Sequence, residues 1–310
     1  MITVLAGGVG AARMLAGLVQ VVPPREITAI INVGDDIVLH GLSISPDIDT
    51  VTYTLAGAID PDRGWGLAGE TWTAMEMLER LGGERWFNLG DRDLGTHLYR
   101  TGRLAEGARL STVTAEVAEA WGLELRLLPA TDDRLRTFVT LPDEGGAEVG
   151  FQEYFVRRQH DVTVSSVRFD GADAARPAPG VLEAINAADK IVVAPSNPIV
   201  SIGPVLAVPA VREAVERRRE QTVAVSPIIA GAALKGPADR LMRELGHESS
   251  VVGVARLYAP FVSALVIDEA DRGSAAAAEK AGVRSVVTQT IMRTPADAAE
   301  LARVTLGALP

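Results

Sequence analysis

Hydrophobic positions in this chain fall into two textures, short continuous apolar runs and runs at helical spacing, and their order predicts the elements. The first run, Ile2-Thr3-Val4-Leu5-Ala6, stops at Gly7-Gly8-Val9-Gly10. Met14, Leu15 and Leu18 then recur at helical spacing, which predicts strand, glycine turn and helix. A second buried strand is predicted over residues 27–33, after the Pro23-Pro24 break. Such a strand–helix–strand order implies a crossover and a parallel sheet.

Strand-like runs vanish between residues 47 and 121, where helical periodicity dominates, as in Thr71-Trp72-Thr73-Ala74-Met75-Glu76-Met77-Leu78. This stretch holds all four tryptophans: Trp65, Trp72, Trp86 and Trp121. It reads as a helical insertion packed on an α/β core made of residues 1–46 and 122–310. A short β section is predicted at residues 123–128, 137–141, 149–151 and 162–169, with Glu144-Gly145-Gly146 as a hairpin turn. Buried strands return at 190–194, 222–225 and 264–267, with helices between them at 211–219 and 238–245. The alanine-rich stretch Ser274 to Gly282 is a further helix with a glycine stop. The fold class expected is α/β and Rossmann-like: a mostly parallel sheet with an inserted helical cap and a short β section.

Composition narrows the function. The 310 residues, 47% hydrophobic and 23% charged, suit a globular protein with a sizeable core. A net charge of −10 without a basic stripe argues against nucleic acid as a partner. The chain has no cysteine, which excludes disulfides, thiolate metal sites and cysteine nucleophiles. No leader pattern and no run of bilayer-spanning length is seen, so a soluble, cytoplasmic protein without a membrane partner is expected.

Four segments carry candidate chemistry. The turn Gly7-Gly8-Val9-Gly10 lets backbone N–H groups approach a phosphate at a helix N-terminus. It reads equally as a tight reversal, since Arg13 stands where a dinucleotide fingerprint has its third glycine. Asn32-Val33-Gly34-Asp35-Asp36 and Ser45-Pro46-Asp47-Ile48-Asp49-Thr50 place four aspartates within 15 positions behind a strand end. Hard carboxylates there suit Mg²⁺ beside a diphosphate, and helix capping by Ser45 or Asp47 is the alternative. Leu89-Gly90-Asp91-Arg92-Asp93-Leu94-Gly95-Thr96-His97 offers Arg92 as an anion clamp or as part of a solvated turn. Asp93 and His97 share one helix face. The loop Pro195-Ser196-Asn197-Pro198 to Gly203-Pro204 follows a buried strand, with prolines stiffening a polar loop.

Together these segments resemble the 2-phospho-L-lactate transferase family, including its phosphoenolpyruvate-transferring actinobacterial branch. The matching stretches run in order through residues 6–10, 32–36, 45–50, 64–66, 70–71, 89–97, 129–133, 151–153, 195–204 and 225–229. The resemblance implies an enzyme that moves a phosphoenolpyruvyl or 2-phospholactyl group from a guanylyl-diphosphate-activated donor to the deazaflavin Fo. GMP is released, and the step belongs to coenzyme F-420 biosynthesis. A homodimer and Mg²⁺ dependence are implied as well. Carried onto this chain, Gly7, Gly8, Gly10, Ser196, Asn197 and Gly203 would face the nucleotide. Asn32, Asp49, Thr50, Arg92 and His97 would face Fo, Asp47 and Asp49 would hold the metal, and Asp47, Asp49 and Arg92 would be catalytic. Gly95, where the family usually has alanine, and Tyr154-Phe155, where larger aromatics are common, depart from its pattern. The competing readings are a nicotinamide-dependent oxidoreductase and a non-catalytic nucleotide-binding protein.

Overall fold

The computed structural model describes residues 1–309. Among them, seven strands form one sheet: β1 (Ile2–Ala6), β2 (Ile27–Ile31), β3 (Arg126–Pro129), β4 (Lys190–Val193), β5 (Thr222–Val225), β6 (Ala264–Asp268) and β7 (Arg284–Thr288). Their spatial order is β7-β6-β5-β4-β1-β2-β3, and every neighbouring pair is parallel. Every residue of β1, β2, β5 and β6 is buried, so these strands show no polar alternation. The chain starts at mid-sheet, moves outward through β2 and β3, then returns to lay β4 on the other side of β1. This reversal makes a switch point between β1 and β4, where doubly wound sheets open a crevice at their strand C-termini.

Helix α1 (Gly8–Leu18) leaves that switch point and packs against α2 (Pro46–Leu55) and the C-terminal helix Pro295–Gly307. Proline opens α2, and Asp47 and Asp49 stand in its first turn, where the helix dipole favours acids. The predicted helical stretch contains α2, α3 (Thr73–Arg80), α4 (Asp93–Ala105) and α5 (Leu110–Ala120). A separate antiparallel sheet has Arg136–Leu141 at its centre, flanked by Ala147–Gly150 and Ser166–Asp170. Its central strand alternates buried and half-buried positions, and the hairpin turn falls at Glu144 to Gly146 as expected.

Three strand expectations need correction. Residues 122–123 finish α5: Gly122 takes φ +70°, and the Leu123 N–H bonds the Ala118 carbonyl 3.0 Å away, so β3 starts only at Arg126. The strand expected from residue 162 begins at Ser166, because the Val164 N–H donates to the Glu244 carboxylate at 2.9 Å instead of a strand. Strand β7 was not expected, since at the sheet edge its residues are half-exposed and form no buried run. Among the described residues, no helix is long and apolar enough to cross a membrane.

Candidate active site

The two loops at the switch point are joined by close backbone approach. A Cβ on Gly10 would lie 2.2 Å from the Pro195 carbonyl oxygen, and one on Gly7 2.8 Å from Ser201 Cβ. Gly8 takes φ +70°, a conformation that suits glycine. The Ser196 hydroxyl accepts from the Gly7 N–H at 3.3 Å and donates to the Gly7 carbonyl at 2.7 Å. Asn197 Oδ1 accepts from the N–H groups of Ile199 and Val200 at 2.9 and 3.3 Å. Thus Gly10 and Ser196 fasten one strand end to the other and the Asn197 carbonyl ties its own loop, while all three also line the cavity at the switch point. Gly203 lies away from the cavity, where a Cβ would meet the Phe169 ring at 2.9 Å. What the turn presents is the N-terminus of α1: Gly7 supplies no side-chain cap, and Gly8, Val9 and Gly10 line a cavity.

That cavity, of about 620 Å³, is walled by this turn, by Asp35, Asp47, Asp49, Thr50, Asp93 and His97, and by the rings of Trp65, Trp86, Phe87 and Phe155. Trp65 and Trp72 flank the Arg63 guanidinium, 5.4 and 5.2 Å from their ring centres. Lys235 also lines the wall.

The acidic residues form two groups of opposite character. In the first, Asp35 and Asp47 form no ion pair with a cation among the described residues. Asn32, buried and outside the cavity, donates to Asp47 Oδ2 at 2.9 Å and accepts from the Gly34 N–H at 2.7 Å. Burial pushes the Asp47 carboxyl up to about 6, against the lowering effect of the bonds from Asn32 and the Gly8 N–H. Burial, and then the charge of Asp47, hold Asp35 well above the usual carboxylate range, and Asp35 Oδ1 has no hydrogen-bond partner. Neighbouring Asp36 accepts from Ser45 Oγ at 2.9 Å, and burial pushes it up to about 7.

The second group is already neutralised. Asp49, Asp93 and His97 bring one ligand atom each within 4.8 Å of one another, spacing that suits a metal. Arg100 fills that need: Nη1 lies 3.1 Å from Asp49 Oδ2, and Nη2 bonds Asp49 Oδ1. The same Nη1 is 3.3 Å from His97 Nδ1. A guanidinium only donates, so Nδ1 accepts and the ring proton sits on Nε2, 3.4 Å from Asp93 Oδ2. Asp93 Oδ1 in turn accepts from the Tyr53 hydroxyl. His97 Nδ1 thus faces the Arg100 guanidinium, while Nε2, buried beside Asp93, makes no hydrogen bond among the described residues.

Two residues exchange roles relative to the sequence reading. Arg92 is exposed and away from the cavity, with its guanidinium on the Ala68 carbonyl and its N–H on Glu70 Oε2 at 2.7 Å. Arg100, not singled out in the sequence, is 2% exposed and is the cation that pairs with Asp49 behind the cavity wall. Its signal was the spacing Asp93, His97, Arg100, which continues one helix face by a further turn.

A parallel α/β sheet whose switch point opens on a cavity with an uncapped helix N-terminus, paired carboxylates and aromatic walls defines the Rossmann-like class of protein. The chain belongs to the 2-phospho-L-lactate transferase CofD family, whose pattern it matches over residues 2–302. It is 47% identical to a phosphoenolpyruvate transferase of Kitasatospora aureofaciens, over 98% of this chain and 96% of that protein. Identity is 44% to the protein of that name from Streptomyces griseus, over 98% and 97%, and 43% to that of Nocardia farcinica, over 98% and 93%. A crystal structure of a UPF0052 family member from Bacillus halodurans shares the fold, with a TM-score of 0.62, 19% identity and 98% of each chain covered.

Proposed function

We propose that this enzyme transfers a phosphoenolpyruvyl group from a guanylyl-diphosphate-activated donor to the deazaflavin Fo and releases GMP, acting as a cytoplasmic homodimer. The carrying observation is that the uncapped N-terminus of α1 and the unmatched Asp35–Asp47 pair line one cavity. Backbone N–H groups and the helix dipole favour the donor's phosphates at the switch point. The names of the similar transferases favour phosphoenolpyruvate over 2-phospholactate as the acid.

Mg²⁺ fits at Asp35 and Asp47, where Asp35 Oδ1 lacks a partner and no guanidinium intervenes. Asp49 fits less well, because Arg100 engages both of its oxygens. A cation held there would draw charge from the donor's diphosphate during transfer. The aromatic wall gives a planar tricyclic ring a surface to lie on, beside Thr50 and His97. The ribityl hydroxyl of Fo then forms its bond to the distal phosphorus and gives up its proton to solvent, as the bond to the GMP oxygen breaks and GMP leaves with that electron pair. Such transfers rest mainly on placement and charge stabilisation, which the rigid Asp49–Arg100–His97–Asp93 network supplies to the wall. Separate calorimetric titrations with Fo and with NADH test this reading. Binding of Fo alone is expected, whereas binding of NADH without Fo would favour an oxidoreductase.

A further inference from the structure

A second cleft, of about 410 Å³, opens beside the main cavity between the antiparallel sheet and the Asp35-Asp36 turn. Asp35, Phe151 and Gln152 line both spaces, so the two meet there. Arg136 lines the cleft from the central strand of that sheet and is half-buried. Among the described residues, its side chain makes one hydrogen bond, to the Leu135 carbonyl at 2.7 Å, and no ion pair within 4.0 Å. A guanidinium carries five N–H donors, so most of its donors have no protein acceptor. Arg134 beside it is different, being paired with Asp170. At the junction, Gln152 is 5% exposed, and no protein hydrogen bond holds its amide among the described residues. Asp36 is the acid whose charge Arg136 feels, but the two form no ion pair within 4.0 Å. No unbonded polar atom of the Arg136 or Gln152 side chain is sealed from solvent, so these donors stay open to a ligand entering the cleft.

We infer that this cleft binds the carboxylate of the phospho-acid carried by the donor, with Arg136 and the Gln152 amide as its clamp. The assignment rests on the transferase reading above and deepens it by naming what recognises the acid. The planar guanidinium fork matches a carboxylate in bidentate fashion. Asp35 and Asp36 also line the cleft, and they oppose a phosphate dianion more strongly than a singly charged carboxylate. In phosphoenolpyruvate the carboxylate is attached to the carbon that bears the phosphate oxygen. A carboxylate in the cleft therefore leaves the phosphorus at the Asp35 junction, next to the pair proposed to hold Mg²⁺.

The test is calorimetric titration of phosphoenolpyruvate into the whole protein with GMP and Mg²⁺ present, for wild type, Arg136→Gln, Arg136→Lys and Gln152→Leu. GMP affinity is measured separately on each. Wild type is expected to bind phosphoenolpyruvate, and Arg136→Gln to bind it at least tenfold more weakly with GMP affinity within twofold of wild type. Arg136→Lys should fall between them, and Gln152→Leu should weaken the acid severalfold without touching GMP. Unchanged phosphoenolpyruvate affinity in Arg136→Gln, no binding by wild type, or parallel loss of GMP affinity would overturn the assignment. Turnover of Fo by the wild type, assayed independently, reports on the transferase reading alone.

Discussion

Arg100 grips both carboxylate oxygens of Asp49 behind the cavity wall, and the same guanidinium reaches His97 Nδ1 at 3.3 Å. Both partners are almost fully buried, at 2% and 5% exposed. Removing one partner of such a pair leaves a buried charge unmatched, which typically costs about 3–5 kcal/mol. Arg100→Met and Asp49→Asn are therefore both expected to lower stability in chemical denaturation by that order. Arg100→Lys, which keeps the charge but loses the fork, should cost less. A loss below about 1 kcal/mol in Arg100→Met would show that the pair does not hold this part of the wall.

The two glycines of the turn should respond differently to alanine. At Gly10 the added methyl would meet the Pro195 carbonyl oxygen at 2.2 Å, so backbone must move. We expect Gly10→Ala to destabilise by about 2 kcal/mol or more, with ligand affinity falling alongside. At Gly8 the nearest atom, Asp47 Oδ1, lies 3.9 Å away and the cost is the strained φ of +70°, on the order of 1 kcal/mol. Thermal unfolding of the two variants checks the order, and a Gly10→Ala protein that melts like wild type contradicts the packing.

Four buried carboxyls titrate above their ordinary range: Asp47 at about 6, Asp36 at about 7, Asp35 well raised, and Asp49 raised by burial against the charge of Arg100. The folded chain thus holds more protons than the unfolded one from about pH 4 upward through these values. Stability of the metal-free protein should fall as pH rises through about 4 to 7, the opposite of an acid whose salt bridge lowers its pKa. Added Mg²⁺ should raise the melting temperature more at pH 8 than at pH 5, because a cation held as proposed at Asp35 and Asp47 would replace their protons. Equal Mg²⁺ stabilisation at both pH values would place the cation elsewhere.

Asn32 lowers the Asp47 pKa through a 2.9 Å bond. In Asn32→Ala that stabilisation of the ionised form disappears and the Asp47 pKa rises. The acidic limb of the pH–rate profile should move to higher pH, with activity recovered on the alkaline side. A profile lowered evenly at all pH values would mean that Asn32 serves only the fold.

The sheet was legible because buried strands show themselves as unbroken apolar runs, and the glycine turn because strand and helix textures meet there. The edge strand β7 escaped because one side of it is open and its pattern is mixed. The site was legible as segments more than as roles. The sequence brought Asp35, Asp47, Asp49 and His97 forward, and the structure gathers all four around one cavity. It could not show that Arg92 turns outward while Arg100, a turn of helix beyond His97, turns in. An arginine in a helix looks the same in sequence whether it meets water or a buried carboxylate. Nor could it show that Ser196 and Gly10 hold two loops together, because that depends on the β1–β4 adjacency, which joins residues 189 positions apart.

The most direct test of the central claim is mass spectrometry of Fo incubated with the purified enzyme, Mg²⁺ and the guanylyl-activated phosphoenolpyruvate donor, with GMP quantified in the same samples. The account predicts that Fo gains the mass of one phosphoenolpyruvyl group and that one GMP appears for each Fo consumed. Asp47→Asn should give neither. Unchanged Fo, or GMP released without modified Fo, would contradict transfer to the deazaflavin.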